Sequence, residues 1–525
     1  MSFIRNLTRQ AFFPYLQHTY AGIERECLRV DAAGCLSQTE HPHTLGSSLT
    51  HRYITTDFSE ALLELVTPVF RQTDALLSFL TQLHYFSCKN ISGDEYLWPG
   101  SMPAMLAEHI PLARYGSAHM AQLKQIYRRG LHHRYGSPMQ TISGIHYNFS
   151  LGMDFWQNYL SSEWAKTYRL DSVSDGYFHL MRNFRRHAWL LLYFFGASPI
   201  FDQSFMQRHP FFTHQAGNSD LLRIKPWGKR SYYVPDATSL RMSALGYRSP
   251  KQAMIRSCFN GLEQYVQTMR QALVLKCPQY QNIGLKDAQG GYQQLNTHLL
   301  QIENELYSIV RPKQITQEQE RPLHALAARG VAYLEIRLLD NNPFIACGID
   351  QQTIHWIRLF LLTCLLHPSP FIEEAECNAI EDFQEHIILQ GRSERPEHQQ
   401  QRCHKAQPFM ESMLELAELL DHTPDALSSG SYAASWNKYH QQLQHPESTL
   451  SGQLLQALRQ QKCDYLDLMF DYAHRYKDQL LQTPIIPKQQ ADLTAESVRS
   501  HQARQQLEQE NSTDFEAFLQ HYLHL

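Results

Sequence analysis

Residues 22–30, GIERECLRV, place Glu24 and Glu26 two positions apart in what otherwise reads as a short apolar strand. Side chains alternate across a strand, so the two carboxylates project from one face and Ile23, Arg25 and Cys27 from the other. Three further stretches repeat the pattern. In EALLELVTP, Glu60, Leu62, Glu64 and Val66 share a face; in TISGIHYNFS, Ile142, Gly144, His146, Asn148 and Ser150 do; in VAYLEIRLLD, Glu335 and Arg337 stand together against Leu334 and Ile336. Any one such strand could belong to an antiparallel sheet with a wet side. The set is different, because a solvated face mixes Lys, Thr, Ser and Glu. Here the polar sides collect Glu24, Glu26, Asp57, Glu64, His146 and Glu335, with Arg337 and little Lys.

Acids converging on one surface repel and raise one another's pKa unless cations lie among them. A divalent metal satisfies that demand. Oxygen ligands with a single imidazole suit Mg²⁺, with Mn²⁺ as the alternative, better than Zn²⁺. Magnesium held by carboxylates in turn points to phosphate. Neither G-x-x-x-x-G-K-[ST] nor G-x-G-x-x-G occurs, so a nucleotide must be held through metal and Arg. The guanidinium groups of YRRG (127–130) and EIR (335–337) are placed for that, with a structural ion pair as the other reading of Arg337.

The whole chain sets the frame. Its 525 residues, 43% apolar and 19% charged, suit a large folded core rather than disorder, and the formal charge of -4 gives no basic field for nucleic acid or an anionic membrane. Ten cysteines without a C-x-x-C pair read as buried thiols in a reducing compartment. No apolar stretch reaches the roughly 18 residues of a membrane span, and the start lacks a cleavable apolar leader, so a cytoplasmic location is expected. Residues 19–70 read as strands with a turn at DAAG (31–34), 74–89 and 116–136 as helices, and 154–196 as long aromatic helix. Residues 210–230 read as a loop, 250–275 as a helix, and 295–309 and 331–340 as strands. Beyond about 345, helical periodicity dominates at 352–366, 409–421, 450–473 and 513–524, with a polar stretch at 391–407 and a charged run at 488–512 that reads as linker or helix.

Taken together, GIERECLRV, LGSSLTHRYITTDFSEALLELVTP, LWPGSMPA, YRRGLHHRYGSPMQTISGIHYNFSL, FGASP, ATSLRMSALGY, LQIENELYSIVRPK and YLEIRLLDNNPF closely resemble the proteobacterial type of glutamate–cysteine ligase. The likeness covers roughly 19–345 in order and thins after Pro343. It implies an α+β, glutamine synthetase-like curved antiparallel sheet forming a funnel, with a catalytic core over 1–345 and a mainly helical support region over 346–525. It implies ATP-dependent joining of the glutamate γ-carboxylate to the cysteine amine, through a γ-glutamyl phosphate, as the first step of glutathione synthesis. Glu24, Glu26, Asp57, Glu64, His146 and Glu335 then match metal ligands, and Arg337, with Glu335, serves the transferred phosphoryl group. Tyr127 and Ile142 match positions near the cysteine side chain, with Arg128 beside them; Arg241, Tyr247 and Tyr307 match residues holding the cysteine carboxylate. For Tyr247, just after Gly246, a turn residue is the lesser alternative.

The resemblance further implies Mg²⁺, glutamate, cysteine and ATP as ligands, glutathione as a feedback inhibitor, a monomer, and no fused second nucleotide-binding domain. A loop at 205–231 is expected to cover the reacting groups. A ligase for another amine and a non-catalytic metabolite-binding protein remain the alternatives.

Overall fold

The computed structural model describes residues 7–213, 222–248, 251–252, 255, 259–317, 319–423, 430–510 and 514–524. Its strands are β1 (Thr19–Val30), β2 (Ile54–Thr56), β3 (Leu62–Val66), β4 (Tyr96–Leu97), β5 (Ile145–Leu151), β6 (Ile200–Asp202), β7 (Lys225–Trp227), β8 (Ser231–Tyr233), β9 (Val310–Lys313) and β10 (Tyr333–Leu339). Seven form one antiparallel sheet in the order β2-β3-β1-β5-β10-β9, with β4 paired to β1; β6, β8 and β7 form a small second sheet. The α+β antiparallel expectation is met.

Register decides which side chains meet. Glu24 lies opposite both Val66 and His146, Glu26 opposite Glu64, and Glu335 opposite Asn148, so acids from three strands share one face. The other face is dry: Ile23, Tyr147, Phe149, Leu334 and Ile336 are each 0% exposed. Each large apolar side chain so withdrawn contributes roughly 1.5–3 kcal/mol, which leaves the opposite face free to hold charges that cost stability. Arg25 is the exception on the dry side. Its guanidinium donates to Asn341 Oδ1 (3.2 Å), to the Ala346 carbonyl and to His84, tying β1 to the helix Thr73–Asn90. Burial, then the Arg25 charge, lowers His84 to about 3, so the ring is a neutral acceptor.

One apolar cluster unites the sheet's dry face with later helices, including Trp356 and Phe360 on Gln351–Leu366, a helix capped by Asp350 accepting from the Thr353 N–H. Eight helices, from 9 to 26 residues long, occupy the described chain from Gln351 to Leu523. The polar stretch 391–407 is mostly helix, within Pro396–Asp421, and 488–509 is helix, within Pro487–Gln509. The reading 450–473 splits at left-handed Lys462 and the capping Asp464. Likewise 154–196 is four helices, two of them started by Ser162 and Ser172 accepting from Ala165 and Asp175.

Two readings are corrected. Residues 295–309 form no strand: Glu303 and Glu305 sit in a 3-10 turn, engaged by Arg321 and Arg134, and the strand is β9, immediately after. Residues 210–230 are not wholly loop, since they hold the short helix Pro210–Thr213 and β7, with Trp227 Nε1 donating to the Cys463 carbonyl at 3.1 Å. The stretch 214–221 of the expected covering loop, and 249–250, 253–254 and 256–258 of the expected 250–275 helix, lie outside the described residues; the described helix there is Leu262–Val274. Among the described residues no helix is long and apolar enough to cross a membrane.

Candidate active site

Glu24, His146 and Glu335 each turn one ligand atom toward a common point, all within 4.8 Å of one another. His146 is buried between acids, with Nδ1 3.1 Å from Glu24 and Nε2 3.5 Å from Glu26. Asn148 Nδ2 donates to Glu24 at 2.7 Å and fixes that carboxylate. Glu26 accepts from the Gly144 N–H at 2.8 Å. Glu335, 3% exposed, faces Arg337 at 3.1 Å, Lys313 at 3.3 Å and Arg311 at 3.6 Å.

The charges are unevenly balanced across the sheet. At the β10 end, burial pushes Glu335 up, but Lys313, Arg337 and Arg311 outweigh it and hold the carboxyl well below its ordinary value. Glu24 is also lowered, burial being overcome chiefly by the His146 hydrogen bond. At the β3 end the cations among the described residues do not outweigh burial. Burial, then Glu24, Asp57 and Glu26, push Glu64 well above the usual range, and burial with Asp57 raises Glu26 against the pull of His146, Arg241 and Arg337.

Such a group binds protons more tightly folded than unfolded. Its contribution to stability is full below the ordinary carboxylate pKa of 4.5 and is lost as pH rises through the raised value. In chelator at neutral pH and above, Glu64→Gln is therefore expected to raise the thermal midpoint and flatten its decline with pH, as read by scanning fluorimetry. An unchanged midpoint would show that the carboxylates do not crowd one another.

Asp57 follows β2, at a turn rather than on a strand, and is placed by its own backbone. Its carbonyl accepts from Arg128 Nε and from Tyr115 Oη. Arg128 further donates to the Lys124 and Thr56 carbonyls and packs on the Tyr115 ring at 4.6 Å. It thus braces Asp57 instead of reaching toward Arg337. Glu60, which shares a strand face with Glu64 in the sequence reading, has backbone partners instead. It precedes β3 and accepts from the backbone N–H groups of His41 and Arg114.

A second group adjoins Arg337. Arg241 is 1% exposed, donates to the Arg337 carbonyl at 2.9 Å, and lies 3.7 Å from Asp340. Its guanidinium rests on Gly144, where a Cβ would come within 2.3 Å of it. At Gly246 a Cβ would strike the Arg241 carbonyl at 2.0 Å; this tight turn folds Tyr247 back so that Arg241 sits 4.6 Å from its ring centre. Tyr247 meets Tyr307 edge-on at 5.2 Å, and Gln140 Nε2 donates to the Tyr307 hydroxyl at 2.9 Å. Arg241, Tyr247, Tyr307 and Arg337 line one small cavity. Ile142 is buried at the end of the turn Met139–Thr141, and Tyr127 is half-buried on the helix His119–Tyr135. The sequence reading missed Arg311 and Lys313; their R-x-K spacing gives the same two-residue alternation as Glu24 and Glu26.

A family model described as glutamate-cysteine ligase matches residues 4–387. The chain belongs to that family. It is 39% identical over 516 residues to the glutamate–cysteine ligase of Hahella chejuensis, covering 97% of this chain and 96% of that one. With the glutamate–cysteine ligase of Pseudomonas aeruginosa it is 40% identical over 523 residues, covering 98% and 95%. The crystal structure of the Francisella tularensis glutamate–cysteine ligase, in complex with AMP, superposes with a TM-score of 0.87 at 31% identity, covering 96% and 97%. A bifunctional glutathione synthetase from Pasteurella multocida, 24% identical with a TM-score of 0.69 over 92% of this chain and 55% of that one, shares the fold. The chain is accordingly an enzyme, an ATP-dependent carboxylate–amine ligase joining glutamate to cysteine at the first step of glutathione synthesis.

Proposed function

We propose that the acid face and the cavity beside Arg337 are the two halves of one reaction centre, working through a γ-glutamyl phosphate. The observation that carries this is the meeting of Glu24, His146 and Glu335 with Arg337 beside them. The residues fit a hard divalent ion: the donors are oxygens with one imidazole, and among the described residues His146 Nε2 is buried without a hydrogen-bond partner. Glu24, Glu26, Asp57, Glu64, His146 and Glu335 would hold Mg²⁺, with Mn²⁺ as the alternative. When bound, it would neutralise the crowded acids and the triphosphate charge.

A carboxylate repels an attacking amine and has no acceptable leaving group. In the first step a glutamate γ-carboxylate oxygen bonds to the γ-phosphorus of ATP while the bond to the departing ADP oxygen breaks. Arg337 meets the charge spread over the transferred oxygens, and Glu335 fixes the orientation of its guanidinium. In the second step the neutral amine of cysteine attacks the acyl carbon, the C–O bond to phosphate breaks, and the nitrogen loses a proton. Arg241 with the hydroxyls of Tyr247 and Tyr307 would hold the cysteine carboxylate, and Tyr127 and Ile142 would border its side chain. Arg128 acts on substrate through Asp57.

The proposal extends to a monomer in the cytoplasm with glutathione as feedback inhibitor, and to residues 346–525 as a support layer for a core over 1–345. Phosphate release is expected only when glutamate, cysteine, ATP and Mg²⁺ are all present, with γ-glutamylcysteine detected by mass. Product with other amines but none with cysteine would overturn the amine assignment, and phosphate release independent of both amino acids would overturn the coupled reaction.

A further inference from the structure

We propose that the helix Pro487–Gln509, beyond the stretch that the family model matches, contributes positioning residues to the metal site: Ser500 and Glu496 hold the loop 46–52 that leads to Asp57. This rests on the reading of Asp57 as a metal ligand and adds what keeps it in place.

Asp57 is the member of the acid set that the sheet secures least. The other five stand on β1, β3, β5 and β10, and each of those strands has a neighbour on both sides. Asp57 instead follows β2, a strand of three residues at the sheet's edge, paired only with β3. Two supports reach it from outside the sheet. One is Arg128, on the helix His119–Tyr135, whose Nε donates to the Asp57 carbonyl. The other is the loop 46–52, tied to β2 by Thr55 Oγ1, which donates to the Ser48 carbonyl at 2.6 Å.

The helix Pro487–Gln509 meets both supports. Its buried side chains are Leu493, Glu496, Ser497 and Ser500, so it lacks the apolar stripe that docks most surface helices. Hydrogen bonds to the loop's backbone take that place. The Ser47 N–H donates to Ser500 Oγ at 2.9 Å, the Arg52 N–H to Glu496 Oε1 at 3.0 Å, and Arg499 Nη2 to the Thr50 carbonyl at 2.8 Å. Residues 496, 499 and 500 share one helix face, so the loop is read in a single register. Apolar contact is non-directional and would let it slide; hydrogen bonds do not. Ser500 is 0% exposed and Glu496 6%, and Arg499 Nε fixes the second Glu496 oxygen at 2.6 Å. So close an approach needs Gly46, at φ +87°, where a Cβ would come 2.5 Å from Ser500 Oγ and 2.9 Å from Ser497 Cα. Near the other end of the helix, Glu508 Oε1 accepts from the Ser117 N–H at 3.0 Å, two residues before the helix that carries Arg128.

The test is Mg²⁺ binding by titration calorimetry, without nucleotide, with the KM for cysteine measured beside it. Ser500→Ala removes the acceptor of the Ser47 N–H and is expected to raise the Kd for Mg²⁺ about fivefold, the equivalent of one hydrogen bond, with the KM for cysteine unchanged. Glu496→Ala should act alike, and Glu496→Gln, which keeps an oxygen for the Arg52 N–H, should recover most of the loss. Asp57→Asn should also weaken Mg²⁺ binding, and adding Ser500→Ala to it should change little more, since groups that act through one another are not additive. Full additivity in the double variant overturns the inference, because the helix would then act elsewhere. A lowered thermal midpoint with Mg²⁺ binding intact in Ser500→Ala and Glu496→Ala overturns it too, leaving a structural contact. Unchanged Mg²⁺ binding in Asp57→Asn removes Asp57 from the metal set, and the positioning role falls with that assignment while the ligase reading stands.

Discussion

Glu335→Gln is expected to lower turnover on the order of 10²-fold or more, leaving far-UV circular dichroism and elution volume unchanged. The side chain is nearly isosteric, so packing against β5 and β9 is kept. What disappears is the anion that three cations share: Lys313 at 3.3 Å, Arg337 at 3.1 Å and Arg311 at 3.6 Å. Those cations would repel one another, Arg337 would lose its orientation, and the proposed metal set would lose one of its carboxylates. Because Glu335 is held well below the ordinary value, its contribution to stability is present above that value and fades as pH falls. With one proposed metal ligand fewer, the variant should also show a weaker gain in thermal midpoint on adding Mg²⁺ at neutral pH. Near-normal turnover would contradict the ligand assignment.

Arg337→Met is expected to reduce kcat by about 10²-fold, with little change in the KM for glutamate or cysteine. The proposed role places the interaction in the transition state, where charge spreads over the transferred phosphoryl oxygens. Burial alone would favour loss of the Arg337 proton, but Glu335, Tyr247, Glu26 and Glu24 outweigh it and keep the guanidinium charged. Arg337→Lys should recover only part of the loss, since a point charge cannot present two parallel N–H groups. The Arg337 carbonyl that receives Arg241 survives both substitutions, so the neighbouring cavity should persist. A rise in the KM for cysteine with kcat preserved would place Arg337 in amine binding instead.

The acid face was legible because strand alternation is a local rule: E-x-E, E-I-R and H-Y-N state the side on which each group emerges, and the sheet obeys it. That these strands are neighbours was not written in any one of them, and rested on the resemblance. Arg311 and Lys313 were missed for a long-range reason. Glu303 and Glu305 are bound by Arg321 and Arg134, distant in the chain, so the apolar spacing of 295–309 forms a turn and the strand starts later. Arg128 beside Tyr127 looked like a phosphate ligand; only the fold shows its N–H groups taken by carbonyls of 56, 57 and 124. Where a pattern depends on what lies one or two residues away, the sequence suffices; where hydrogen bonds cross long separations, it does not.

The parity of β1 restricts how relatives of this chain can change length. Deleting or inserting one residue between Gly22 and Val30 would exchange the two sides of the strand, sending Glu24 and Glu26 into the hydrocarbon interior and Ile23 and Cys27 toward solvent. Arg25 would leave His84 and Asn341 in the same shift. Evolutionary gaps should therefore be absent from this segment and gather beyond it, at the Asp31–Gly34 turn, where the chain reverses at a left-handed glycine and no reacting group depends on the count.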